Sequence, residues 1–313
     1  MSVPLGPHAR FDFGDPRERF AAELLDRLWS RYRERVEYVR VYESVIADLG
    51  ATFVNDHIAF RTLAAQTPLI GGASLSRLVE ALGYRARAAY DFPDKHLNAL
   101  HYEHTHPDLP KLFISELRTW ELPPAARATL SPYLTDHRSQ LSDDQLAALH
   151  NLGHGPADPR LLDAAVAVFE ERPWRQPAYA DVVAVNEVSQ YAAWVLVHGY
   201  NVNHFTALIN SHAVAKLDDI EKTAAALAAA GVPMKASIEG VRGARLRQTA
   251  TRAVEIEIGE LVSGSPEGAQ WTYAYLELAE RGDVRDPVTD EEVRFNGFLG
   301  PQATQLFEMT RRS

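Results

Sequence analysis

Apolar residues recur at helical spacing early in the chain. Phe20, Leu24, Leu25, Leu28 and Tyr32 share one face, with Arg, Glu and Asp between them, and the pattern predicts a helix over Pro16–Asp48, broken once. The period then changes. Thr52–Leu63 (TFVNDHIAFRTL) is rich in β-branched and aromatic residues and predicts a strand. A Gly-Gly turn follows, then a helix over Ser74–Leu82 closed by Gly83. Three more strands are expected, at Tyr84–Tyr90, Ala99–Glu103 and Leu112–Leu117. The order is strand, helix, strand, strand, strand.

From Pro123 to about Trp194 the chain is Ala-rich and mostly helical in pattern, punctuated by Pro and Gly, and it reads as an insertion or connector. One helix there is well marked, with Ser142 as N-cap and Gly153 as stop. The acidic pair Asp143 and Asp144 suits a helix N-terminus. The first pattern then recurs. Asn201–Leu208 predicts a strand, and Asp218–Ala230 a helix stopped by Gly231. Strands are expected at Lys235–Ile238, Arg245–Gln248, Ala253–Ile258 and Ala274–Leu278, and GFLGPQATQLFEMTRR predicts a loop and a short C-terminal helix. The expected organisation is an N-terminal helical segment (1–50), a first βαβββ module (51–122), a helical connector (123–195) and a second βαβββ module with a C-terminal helix (196–313). The fold class is α+β, with the two modules paired into a half-open barrel and helices added outside.

Composition narrows the chemistry. There is no cysteine, which excludes disulfides, thiolate metal sites, iron–sulfur clusters and cysteine nucleophiles. A metal must then be held by imidazole and carboxylate, which suit Fe(II), Mn, Co, Ni or Zn. The net charge of −10 argues against a nucleic-acid partner. No apolar run approaches the roughly 18 residues of a membrane span. The stretch MSVPLGPHARFDFGDPRERF has no apolar core like that of a signal peptide, so a cytoplasmic protein is expected.

The recurrence carries the candidate site. NDHIAFR aligns with VNHFTAL, and LFISELR with AYLELAER, so each module opens on a strand with a His and closes on a strand with a Glu. Alternate residues of a strand share a face, which sets His57, Ala59 and Arg61 together, and His204 with Val202 and Thr206. Glu277 lies between two leucines that should be buried, so its carboxylate needs a partner on the other face. A lone strand histidine is most often a hydrogen-bonded structural residue; its placement in both modules raises His57 and His204 to candidate metal ligands with Glu277. Two imidazoles and a carboxylate form the facial triad of non-haem Fe(II) oxygenases, with open positions for a 2-oxo acid and dioxygen. Arg61, about 13 Å along the strand from His57, is placed to clamp a substrate carboxylate. Glu116 is a possible fourth ligand, and Glu280 should face away. His101, His104 and His106 read as solvated loop histidines, and His96 as a pocket residue.

With HIAFR, VNHFT, YLELAERG and GFLGPQATQLFE in view, the chain resembles the 2-oxoadipate dioxygenase/decarboxylase family, also called hydroxyglutarate synthases, of the vicinal oxygen chelate superfamily. The resemblance implies that His57, His204 and Glu277 bind Fe(II) and that Arg61 binds substrate. It also implies conversion of 2-oxoadipate to 2-hydroxyglutarate and CO2, a step of lysine catabolism. Two other readings stand beside it. One is a glyoxalase-like lyase or isomerase, or an extradiol dioxygenase; a fourth ligand at Glu116 would favour the lyase. The other is a non-catalytic small-molecule binding protein.

Overall fold

The structure, a computed structural model, describes residues 6–299 and Thr310. The predicted C-terminal helix lies almost wholly outside the described residues. The N-terminal helical pattern resolves into α1 (Pro16–Arg35) and α2 (Glu37–Asp48), broken at Val36. Asp15 and Glu18 form a reciprocal capping box at the start of α1, which satisfies two of its free N–H groups. All five residues of the predicted stripe are buried. Each such apolar side chain contributes about 1.5–3 kcal/mol by leaving water. The Tyr32 hydroxyl donates to the carbonyl of Tyr275, which ties α1 to the strand region that carries Glu277.

The first module is β1 (Asn55–Gln66), β2 (Leu69–Ile70), α3 (Gly72–Ala81), β3 (Arg85–Phe92), β4 (Leu97–Glu103) and β5 (Lys111–Arg118). The turn before α3 needs glycine. Gly71 has φ of 120°, and a Cβ there would stand 2.9 Å from the Ala64 Cα. The helices that follow are α4 (Pro124–Thr135), α5 (Asp143–His150), α6 (Pro159–Glu170), α7 (Tyr179–Val188) and α8 (Gln190–His198). Ser142 caps α5 as predicted. From Tyr191 to His198 every residue of α8 is buried, as its apolar sequence on all sides requires. This last helix of the connector lies against β1, beneath the candidate site.

The second module is β6 (Val202–Leu208), α9 (Ile220–Ala229), β7 (Leu246–Ala250), β8 (Glu255–Glu257), β9 (Gln270–Thr272) and β10 (Glu277–Arg281). A small hairpin of β11 (Asp283–Arg285) and β12 (Glu292–Arg294) follows. Among the described residues, no helix is long and apolar enough to cross a membrane.

One curled, half-barrel sheet runs β3-β4-β5-β1-β6-β10-β7, with β2 folded back on β1. β5 lies parallel beside β1, β10 lies parallel beside β6, and the halves meet through the antiparallel pair β1–β6. Two sequence expectations shift. Lys235–Ile238 is not a strand: it reaches β7 through scattered bonds, the Lys235 N–H to the Ala250 carbonyl and the Thr249 hydroxyl to the Ser237 carbonyl, with isolated bridges at the flanking Met234 and Glu239. The strand expected at Ala274–Leu278 begins at Glu277, because Ala274 and Leu276 give their carbonyls to Val254 and Thr251 instead of to the ladder.

Candidate metal centre

The ladder register brings three strands to one point. Ala59 of β1 stands opposite His204 of β6, and His57 opposite Thr206. Thr206 is in turn opposite Glu277 of β10. Alternation therefore turns His57, His204 and Glu277 onto the same concave face. Each offers one ligand atom, and the three atoms lie within 4.8 Å of one another. His57 Nε2 is 3.5 Å from Glu277 Oε1, and His204 Nε2 is 3.2 Å from Glu277 Oε2. An ion about 2.0–2.2 Å from each donor would set neighbouring donors roughly 3 Å apart, close to this spacing. Among the described residues this is the one such group of three.

The electrostatics suit a cation. Burial lowers the pKa of both imidazoles, so each keeps a lone pair at neutral pH. Glu277 is fully buried, and desolvation pushes its pKa up to about 8, against a hydrogen bond from Gln248. Glu277 Oε2 has no hydrogen-bond partner among the described residues. A buried carboxylate oxygen left this way is costly unless a cation occupies the space in front of it. The donor set and this orphaned oxygen both fit a divalent metal.

Each candidate ligand is oriented from behind. His57 Nδ1 bonds Asp56 Oδ2 at 2.8 Å, and His204 Nδ1 bonds Asn203 Oδ1 at 3.1 Å. Gln248 Nε2 donates to Glu277 Oε1 at 2.6 Å. Asp56 is held by Arg281, whose Nη2 donates to Oδ2 at 2.8 Å and whose Nε donates to Oδ1. Burial alone would raise the Asp56 pKa; the Arg281 guanidinium outweighs it and holds the carboxyl well below the usual range. Carboxylate or amide groups behind ligand histidines fix tautomer and ring direction. Sequence reasoning missed Asp56, Asn203, Gln248 and Arg281. The signal for two of them was present, since a short polar residue immediately precedes each ligand histidine.

Arg61 is 1 % exposed and lines the same cavity, with Ser115, Asn203, Gln248, Tyr275, Phe298 and others. Its guanidinium lies over the rings of Tyr191 and Trp194, at 5.1 and 5.3 Å, and donates to Thr310 Oγ1 at 2.6 Å. Both aromatic rings come from α8. The Phe298 ring closes the opposite side, 4.8 Å from the His57 ring and 5.0 Å from Phe113.

The structure does not bring Glu116 to the three donors. β5 pairs Thr62 with Glu116 and Ala59 with Phe113, so Glu116 falls on the far face of the sheet. There it accepts from Asn98 Nδ2 at 2.6 Å and from the Gly72 N–H at 2.8 Å. In the second module Glu277 stands opposite the residue two beyond its histidine; the equivalent place in the first module is held by Phe113. Glu116→Ala should therefore leave metal stoichiometry unchanged while costing about 1–3 kcal/mol of stability through the two stranded donors. Thermal melts and metal analysis check both halves. Glu280 faces away, bonded to the Ile220 N–H and Arg247. The HYEHTH histidines do not converge. His101 is buried on β4, bonded to the Tyr90 hydroxyl at 2.9 Å, contrary to a solvated loop; His104 bonds the Leu82 carbonyl. His96 lines a separate surface pocket with Gln190 and Tyr191 and bonds Glu121.

Comparison with known proteins gives consistent results. The family model for 2-oxoadipate dioxygenase/decarboxylase matches residues 25–288. The rice protein named 2-oxoadipate dioxygenase/decarboxylase, chloroplastic/amyloplastic, is 28 % identical over 299 residues, 88 % of this chain and 72 % of that one. Among solved structures, hydroxyglutarate synthase from Oryza sativa in complex with 2-oxoadipate matches with TM-score 0.76 and 23 % identity, covering 99 % of this chain and 96 % of that one. A glyoxalase superfamily protein from Ralstonia eutropha matches with TM-score 0.74 and 23 % identity, covering 90 % and 86 %. At such identities the two structures speak for the shared fold.

Proposed function

Because the chain belongs to the 2-oxoadipate dioxygenase/decarboxylase family of enzymes, we propose that His57, His204 and Glu277 hold one Fe(II) and that a 2-oxo acid is oxidatively decarboxylated beside it. By kinship the substrate is 2-oxoadipate. With dioxygen it gives 2-hydroxyglutarate and CO2: the bond to the 2-oxo carboxylate breaks, one oxygen atom enters the new carboxylate, and the other becomes the hydroxyl. The observation that supports this most is the convergence of two neutral imidazoles with a buried carboxylate whose Oε2 has no hydrogen-bond partner among the described residues.

Bound Fe(II) would supply the redox chemistry and open coordination positions for the acid and dioxygen. The chain supplies the rest. Asp56 and Asn203 keep the protons of His57 and His204 on Nδ1, so that both Nε2 atoms face the ion. Phe113, Tyr275 and Phe298 keep water from the reacting atoms. Arg61 offers a planar fork of donors to the carboxylate remote from the metal, and its aromatic neighbours hold the fork still.

The three-donor set favours this reading over a glyoxalase-like lyase, which would use a second carboxylate as fourth ligand where this chain has Phe113. Arg61→Met should lower kcat/KM for 2-oxoadipate by at least about 100-fold, from loss of a two-pronged charged hydrogen bond, with metal content unchanged. Oxygen-electrode kinetics and metal analysis separate the two effects. Loss of metal along with activity would mean that Arg61 serves the metal site instead.

A further inference from the structure

Among the described residues, Asn203 carries a donor without a partner. The residue is 2 % exposed and lines the cavity beside His204 and Gln248. Its Oδ1 bonds His204 Nδ1, yet its Nδ2 has no hydrogen-bond partner among the described residues. The ladder shows how this side chain reaches the site. Ala59 pairs with His204 but Phe60 pairs with Val202, so Asn203 is the extra residue of a β-bulge. Regular alternation would point residue 203 away from the histidine's face, and a bulge re-aims it.

Which end of the amide faces the cavity follows from chemistry. A histidine that gives its Nε2 lone pair to a metal carries its proton on Nδ1, and that proton needs an acceptor. The amide oxygen must face the ring, so the NH2 group is the end of this cavity-lining side chain left without a partner among the described residues. The first module does this differently. Asp56 precedes His57, and its negative charge is taken up by Arg281. A carboxylate at position 203 would set a further negative charge beside any anion on the metal. An amide gives the ring the same acceptor and adds a donor.

We propose that Asn203 serves both sides: it positions His204 through Oδ1, and through Nδ2 it donates to the oxygen atoms at the chelating, 2-oxo end of the substrate. This rests on the substrate class proposed above. Asn203→Asp separates the roles, because it keeps the acceptor and removes the donor. Mn(II) affinity, and then the affinity of the Mn(II)-loaded protein for 2-oxoadipate and for pyruvate, are measured by calorimetry under argon. In Asn203→Asp, Mn(II) should bind as tightly as in the parent or tighter, while both acids weaken by at least about tenfold. In Asn203→Ala the metal itself should weaken by about 10–100-fold. Equal binding of both acids by Asn203→Asp overturns the assignment. So does weakening of 2-oxoadipate with pyruvate spared, which would put Asn203 at the remote carboxylate. A parent protein that binds Mn(II) but neither acid would instead sink the proposed substrate class, and the assignment with it.

Discussion

Glu277→Gln should abolish stable divalent-metal binding and with it turnover, yet leave the fold intact and make the metal-free protein more stable at pH 8. The first half follows from ligation. Removing one of three protein ligands should weaken the ion by more than the roughly 10–100-fold expected for losing a group behind a ligand. The second half follows from proton linkage. With burial pushing its pKa up to about 8, the Glu277 carboxyl keeps its proton in the metal-free fold and loses it when the chain unfolds. A folded pKa raised above the unfolded value near 4.5 gives stability that is present below pH 4.5 and lost as pH rises through about 8. At pH 8 the loss is on the order of 4 kcal/mol. Glutamine has the same shape, can still accept from Gln248, and carries no charge to desolvate. The metal-free parent should therefore melt progressively lower than the variant between pH 4.5 and 8, and metal should close the gap for the parent alone. Parallel pH profiles, or a variant that still binds Fe(II) stoichiometrically, would remove Glu277 from the site.

The second large effect is expected at Arg281, four residues on along the same strand. Arg281→Met strands Asp56 as a buried charge, and breaking such a pair costs about 3–5 kcal/mol. For a chain of this size the melting temperature should fall by roughly 5–8 °C. Arg281 also donates through Nη1 to the carbonyls of Phe295 and Gly297, which lead into Phe298 above His57. The variant should thus bind metal about 10–100-fold more weakly as well, because His57 loses its fixed direction. Adding Asp56→Asn should recover much of the stability by removing the stranded charge. Additive losses in the double variant would show that the two residues do not act as a pair. Lys111 is the other cation near Asp56, and it is itself largely desolvated. If it took over the charge, Arg281→Met would be mild.

How much of this was legible beforehand differs residue by residue. His57 and His204 could be found because their strands carry similar short stretches, and a residue's face on a strand follows from parity alone. Glu116 could not be placed the same way. Leu112 to Ser115 are buried on both faces, so no alternation pins the register of β5, and the likeness of LFISELR to AYLELAER suggested a correspondence that the ladder does not make. The register puts Phe113 at the place of Glu277, which leaves three candidate donors at the site. Asn203 is marked in the sequence only by its place before His204; its turn onto the site's face depends on a bulge that this stretch does not announce. The role of α8 was hidden for another reason. Its apolar composition predicted burial, but not that Tyr191 and Trp194 would flank Arg61. Arg281 and Phe298 act through contacts far along the chain, which pattern reading does not reach.

On the proposed function, three buried side chains hold one iron at which a 2-oxo acid is oxidatively decarboxylated. The most direct test is stoichiometry: protein loaded anaerobically with Fe(II) is mixed with 2-oxoadipate and oxygenated buffer, and dioxygen, CO2 and 2-hydroxyglutarate are counted, with Glu277→Gln as the blank. One dioxygen consumed per CO2 and per 2-hydroxyglutarate formed, with nothing above background in the blank, is the expected result. Full Fe(II) loading with no dioxygen uptake on 2-oxoadipate or any other 2-oxo acid would contradict it.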